Sequence, residues 1–293
     1  TLGHEMPCED IQILMGGSAS IFACRLGQLG GGVNMVGKVG NDSNGRIVLD
    51  SLRSSGVGTD NVMFEEGLRT GITISLTYPG DKAQITFVGS IDSLKGSDIR
   101  LELFKSHNHL HVSNIYFQRK LLDSLRRIFT EAKIEGLATS LDTQADPMSK
   151  YEHIDEILSH VDIFLPNDAE AKGITGSEDA ETALEKLSSM VPVVVIKRGE
   201  KGAIGKADNQ MVRVDALKID PVDTTGSGDS FDAGFIYYFL HKRRGFEDSI
   251  RFANALGGLS CLYVGGAEKK IREEDVLSFM KTRSSEPQCK GRD

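Results

Sequence analysis

From about residue 108 the sequence alternates between short runs suited to strands and longer amphipathic stretches suited to helices, and this alternation limits the folds open to it. His109–Ser113 reads as a strand, residues 120–133 as a helix and residues 137–142 as the next strand. Residues 154–159, 161–165, 180–190 and 191–196 continue the pattern. Strands separated by helices of that length need crossover connections, which build a mainly parallel sheet. The expectation is an α/β fold in which helices flank that sheet.

Residues 62–88 break the pattern. Thr70 to Tyr78 alternates with period two, Tyr78-Pro79-Gly80-Asp81 supplies a turn, and residues 84–88 can return as a second strand. A hairpin without helices inside an α/β chain forms a small sheet of its own, free to cover a site or a second subunit. Residues 1–15 and 61–90 are therefore expected to form a small β lid, and residues 16–60 and 91–283 the α/β domain. Residues 284–293 read as a polar tail.

With a formal charge of -8 over 293 residues, the surface repels a phosphate backbone, which excludes nucleic acid as the expected partner. No apolar run approaches the roughly 20 residues needed to span a bilayer, so no membrane association is expected. Cys8, Cys24, Cys261 and Cys289 lack metal-ligand or disulfide-framework spacing, which points to the reducing cytoplasm. Asn41-Asp42-Ser43 matches a glycosylation sequon but reads as a loop.

The chemistry concentrates in Asp223-Thr224-Thr225-Gly226-Ser227-Gly228-Asp229-Ser230-Phe231, which leads into the apolar, helix-compatible residues 231–240. Two glycines at the entrance to a helix let backbone amides approach an anion closely. The N–H groups of Gly226, Ser227 and Gly228, with the helix dipole behind them, would cradle negative charge. Asp229 in the same turn would repel a bound phosphate unless it takes the proton from an attacking hydroxyl. The other reading is that Asp229 caps a helix beginning at Ser230 or Phe231.

Residues 223–231 resemble the C-terminal signature of the ribokinase (PfkB) family of carbohydrate and nucleoside kinases. The likeness extends in the family's order through Gly16-Gly17, Gly37-Lys38-Val39-Gly40-Asn41-Asp42 with Gly45, Pro166-Asn167-Asp168-Ala169-Glu170, Gly199 to Gly202, and Phe252-Ala253-Asn254-Ala255. The resemblance implies a ribokinase-like sheet with a β lid, and transfer of the γ-phosphoryl group of ATP to a hydroxyl of a sugar-like molecule. A nucleoside kinase and a non-catalytic binding protein on this scaffold are the alternatives.

By the same resemblance Asp229 is the base and Gly226, Ser227 and Gly228 form the anion hole. Asn167 and Glu170 match an Asn-x-x-Glu pattern that organises Mg2+ and phosphate through water. Lys197, Gly199, Gly202, Thr225, Asn254 and Gly257 fall on the nucleotide side. Gly16, Gly17, Ile21, Lys38 and Asp142 fall on the substrate side. Asp223 and Thr225, facing Gly265-Gly266, match the place where relatives hold a monovalent cation such as K+. A homodimer through the lid is a further expectation.

Two departures concern the substrate. Relatives carry Asn where Ile21 stands, and they begin with a strand bearing an Asp, so Thr1 is expected to fall inside the first lid segment. Ile21 is expected to face the substrate; the competing reading puts it on the apolar face of a helix over residues 18–29. Asp142 ends a strand and can either face substrate or cap a turn.

Gly32 to Lys38 resembles a phosphate-binding P-loop, but Val39 stands where a hydroxyl would hold magnesium, and a strand explains the segment better. His107, His109 and His111 alternate, yet no carboxylate or Cys pattern accompanies them, so they read as structural or exposed.

Overall fold

Four of the expected strands lie side by side and parallel, in a computed structural model that describes residues 7–78 and 81–284. In chain order the elements are α1 (Ser18–Gln28), β1 (Val33–Val39), α2 (Ser43–Ser54), β2 (Val57–Phe64), β3 (Ile72–Tyr78) and β4 (Asp81–Phe87). There follow β5 (His109–Ser113), α3 (Arg119–Leu122), α4 (Leu125–Ile134), β6 (Ala138–Asp142), α5 (Ile154–Leu158), β7 (Ile163–Phe164), α6 (Asp168–Thr175) and α7 (Ala180–Ser188). The last are β8 (Val193–Lys197), β9 (Ala203–Ala207), β10 (Gln210–Val214), α8 (Ser227–Ile236), α9 (Phe246–Ser260) and α10 (Glu273–Ser284).

The main sheet runs β10-β9-β8-β7-β6-β5. Strands β5 to β8 pair in parallel, while β9 and β10 join antiparallel. Apolar side chains leave both faces, as a sheet buried on both sides requires. Leu141, Phe164, Val194 and Ile196 meet Leu125, Phe129 and Leu158 and Leu184 of α4, α5 and α7. On the other face Ile163, Val195 and Ala203 meet Phe22 of α1, Phe231 and Phe235 of α8, and Ile250 and Ala253 of α9. The helix expected over residues 120–133 is divided into α3 and α4.

The N-terminal third differs from the expected division. β1 and β2 form a two-stranded parallel sheet of their own, and β3 and β4 form the separate hairpin. Within the expected lid segment 1–15, residues 7–15 make no strand, and residues 1–6 lie outside the described residues. No strand ladder reaches residues 7–15; Met15 is held instead by its N–H donating to Glu268 Oε1 at 3.3 Å. The polar tail lies outside the described residues except Ser284.

Candidate active site

The sheet brings its functional groups together by ending its parallel strands at one edge. Asp142 ends β6, Lys197 ends β8, and α8 starts beside them, where ligands collect in parallel α/β sheets. α8 begins at Ser227, so Asp229 is its third residue and not a cap on a helix starting at Ser230 or Phe231. The N-cap is Gly226, at φ 71°, and no side chain bonds to this helix end. A Cβ at Gly226 would also come within 2.8 Å of Gly266 Cα and 2.9 Å of Ile21 Cγ2, so both conformation and space call for glycine.

This helix end keeps donors to spare. Ser230 N–H donates to Gly226 O at 2.8 Å and Ser227 N–H to Thr224 O at 3.3 Å. The N–H groups of Gly226, Gly228 and Asp229 make no hydrogen bond to any described residue. Unpaired donors at the positive end of a helix dipole suit an anion, and a phosphoryl group fits them.

Asp229 is buried beside that cradle, and Gln144 Nε2 donates to its Oδ1 at 3.1 Å. Burial, then the negative charge of Asp142, pushes the Asp229 carboxyl up to about 7, against the opposing effects of Lys197 and a Ser18 hydrogen bond. A carboxyl poised there can take a proton near neutral pH.

Lys197 does not extend into an open nucleotide site. Its Nζ donates at 3.0 Å to Asp142 Oδ2 and at 3.0 Å to both oxygens of Asp232. Burial opposes its charge, but Asp142, Asp232 and Glu170 outweigh burial and hold the ammonium above the ordinary lysine range. Lys197 in turn keeps Asp142 low, although burial acts against that carboxylate. Burial raises Asp232 well above the usual range against Lys197, and the charge of Asp142 adds to the rise. Two buried acids this close share one proton, leaving Asp142 as the carboxylate. Asp142 also accepts from Gln144 N at 3.2 Å and Nε2 at 2.9 Å, so it closes a turn and an ion pair rather than presenting itself to substrate.

Asn167 and Glu170 form a reciprocal cap on α6. Asn167 Oδ1 accepts from Glu170 N at 2.9 Å, and Asn167 N donates to Glu170 Oε2 at 2.9 Å. Burial, then Asp142, raises Glu170 to about 7. The pair thus caps α6, and Glu170 belongs to the same acidic cluster as Asp142 and Asp229.

Ile21 is placed otherwise than expected. It is 3% exposed and packs with Met15, Ala23, Cys24, Leu52 and Ala267 behind the cradle. What reaches Asp229 from α1 is Ser18, just after Gly16 and Gly17. Gly17, at φ 92°, is the N-cap of α1. The ammonium of Lys38 is taken up by Glu65 at 3.0 Å and Asp98 at 2.8 Å, rather than offered at a substrate mouth.

Gly199 and Gly202 shape the turn from β8 to β9, at φ 57° and 78°. Asn254 Nδ2 donates to Val214 O at 3.2 Å. Gly257 is buried in α9, where a Cβ would lie 3.1 Å from Ser227 O, so it permits α9 to approach α8. Asp223 joins the two loops of the expected cation site, accepting from Thr225 N at 2.9 Å and from Gly265 N at 2.9 Å.

The histidines are structural. His109 Nε2 and His111 Nδ1 share Ser140 Oγ at 2.8 and 2.7 Å, and His107 lies before the strand. Burial lowers them to about 4 and about 3, so both are neutral at physiological pH. The P-loop-like segment is strand β1, as expected. Ser18, Gln144 and Asp232 were not singled out by the sequence; only the i, i+3 spacing of Asp232 after Asp229 hints at a shared helix face.

The description "pfkB family carbohydrate kinase" matches residues 3–272. An uncharacterized sugar kinase of Archaeoglobus fulgidus is 31% identical over 254 residues, covering 84% of this chain and 97% of that protein. Probable fructokinase-4 of Arabidopsis thaliana is 28% identical over 284 residues, covering 91% and 87%. A putative Ribokinase II from E. coli, solved in complex with ATP and Mg2+, is 23% identical with a TM-score of 0.85, covering 96% and 95%, a likeness of fold. The chain belongs to the pfkB family of carbohydrate kinases, and its activity is that of an ATP-dependent carbohydrate kinase.

Proposed function

We propose that Asp229 is the general base of this kinase, and that the turn from Gly226 to Asp229 receives the transferred γ-phosphoryl group. The observation that carries this reading is the buried Asp229 carboxyl beside the unpaired N–H groups of Gly226, Gly228 and Asp229. As the acceptor oxygen attacks phosphorus, Asp229 takes the hydroxyl proton. The bond from phosphorus to the β–γ bridging oxygen breaks, and ADP leaves with that electron pair. The unpaired N–H groups face the charge that gathers on the phosphoryl oxygens.

Asp142, Glu170, Asp229 and Asp232 gather around the Lys197 ammonium, an excess of buried acid that suits a divalent cation nearby. Among the described residues no three His, Cys, Asp or Glu side chains converge to hold a metal directly. Glu170 would therefore hold Mg2+ through water. Bound there, Mg2+ supplies charge neutralisation across the phosphates. Asp223 and Thr225, opposite Gly265, are the proposed place for K+.

The lid is the proposed dimer surface. Ile72, Ile74 and Leu76 share one face of the hairpin with Ile85 and Phe87, and all five are exposed. Among the described residues no helix is long and apolar enough to cross a membrane. The reducing cytoplasm remains the proposed location, with Cys8, Cys24 and Cys261 all unpaired.

ADP release tests the function. Fructose, ribose, 2-dehydro-3-deoxygluconate and adenosine, the acceptors suggested by the names of relatives and neighbours, are offered with MgATP. At least one acceptor is expected to raise ADP release above the acceptor-free rate, and Asp229→Asn to abolish that rise. An Asp229→Asn protein that keeps a tenth of the wild-type rate contradicts the base assignment.

A further inference from the structure

The ammonium of Lys197 joins three elements that the reaction depends on. It stands at the end of β8, bonds Asp142 at the end of β6, and bonds Asp232 one turn along α8 from Asp229. It also lies beneath the phosphoryl cradle, since a Cβ at Gly228 would be 3.5 Å from Lys197 Nζ. A lysine contacting nucleotide phosphate would keep its charge free for that phosphate. Here its three donors are already directed at two buried carboxyl groups.

We propose that Lys197 is a positioning residue: clamped between Asp142 and Asp232, it locks the first turns of α8 to the ends of β6 and β8 and places a positive charge beside Asp229. The proposal rests on the reading of Asp229 as base. Its physical content is twofold. The clamp fixes the angle at which the cradle and the base meet the reacting atoms, and small displacements there cost large factors in rate. Its charge also offsets the acids around Asp229 and favours the ionised base.

Asp142 on β6, Asp232 on α8 and Glu170 on α6 act on Lys197, and His111 on β5 feels its charge. Asp229 is acted on by Asp142, Lys197 and Ser18, and it acts in turn on Glu170 and Asp232. Of these groups Lys197 alone is cationic at neutral pH, because burial keeps His111 neutral. Removing its charge therefore moves the acid limb of the rate profile upward.

Lys197→Met tests the proposal, together with the double variant Lys197→Met/Asp232→Leu, which removes with the ammonium one of the two buried acids it bonds. Both are read with the acceptor that gives the fastest ADP release. In whichever variant shows a wild-type circular dichroism spectrum, kcat is expected to fall roughly 10- to 100-fold. The acid limb of kcat should move up by about one pH unit. KM for the acceptor and the Kd for MgADP, measured by calorimetry, should stay within about threefold, since the donors of Lys197 are directed at Asp142 and Asp232.

A folded variant with unchanged kcat and unchanged acid limb overturns the proposal. So does a fall in MgADP affinity of more than about tenfold, which would make Lys197 a direct nucleotide contact. Turnover by Asp229→Asn removes the base reading and this proposal with it. An inactive Asp229→Asn beside an unaltered Lys197 variant removes this proposal alone.

Discussion

The side-chain amide of Gln144 links two carboxyl groups of the site, donating to Asp229 Oδ1 at 3.1 Å and to Asp142 Oδ2 at 2.9 Å. Gln144 sits two residues beyond the end of β6 at φ 56°, a conformation few side chains adopt, so its amide is held in place by the backbone as well as by its partners. A neutral donor there favours the ionised form of both acids. Gln144→Glu keeps the shape and exchanges the donor for a further acid. The expected result is an acid limb of kcat/KM shifted up by about one pH unit, with activity recovered at high pH. An unmoved limb in a folded variant shows that Gln144 does not act on Asp229.

Asp229→Asn should lower turnover by roughly 100- to 10,000-fold while leaving MgADP binding nearly intact, because the base acts on the acceptor hydroxyl. The same variant has a signature in stability. The folded pKa of Asp229 is raised, from an ordinary 3.8 to about 7, so the native state binds the proton more tightly than the unfolded chain. Wild type accordingly loses stability as pH rises between those values, and asparagine does not. The melting temperature of Asp229→Asn relative to wild type should therefore climb from pH 5 to pH 7 and level off above it. Equal differences at pH 5 and pH 8 contradict this account of the burial of Asp229.

Ile21→Asn is expected to cost about 3 kcal/mol or more, since it removes a packed apolar side chain and buries an amide among apolar neighbours. The contact is close: a Cβ on Gly266 would lie 2.4 Å from Ile21 Cδ1, so the side chain fills the space behind the cradle. Urea denaturation measures the loss. Sugar preference should stay as in wild type, and a changed preference with unchanged stability would return Ile21 to the substrate side.

The lid should carry the association of two copies. Ile74 and Ile85 face each other across the hairpin and are 57% and 66% exposed, the centre of an apolar face with no described residue covering it. Light scattering on the wild-type protein is expected to give a dimer mass, and Ile74→Arg/Ile85→Arg a monomer mass, because paired charges on an apolar face oppose its burial. A wild-type monomer at micromolar concentration excludes the lid as a stable interface.

Local chemistry was legible in the sequence wherever neighbours in the chain settle it. Period-two and helical patterning announced the parallel strands from β5 to β8 and the separate hairpin, since burial of one or both faces leaves its mark on consecutive residues. Gly226 to Asp229 could be read as a cradle with an acid in it for the same reason: a turn into a helix, its free amides and its capping preferences lie within four residues. Even there the helix start was misplaced, because the φ of 71° at Gly226 lets α8 begin at Ser227.

What required tertiary structure was every relation between distant residues. Lys197 stands 55 residues from Asp142 and 35 from Asp232, and no local pattern reveals that its charge is spent on them. Ile21 shows the limit most clearly. Its helical spacing is the same whether that face meets a ligand or Gly226 and Gly266, and the choice falls to whichever surface packs against it. Neighbours along the chain fix backbone conformation, whereas the surroundings of a side chain depend on which elements the whole fold brings against it.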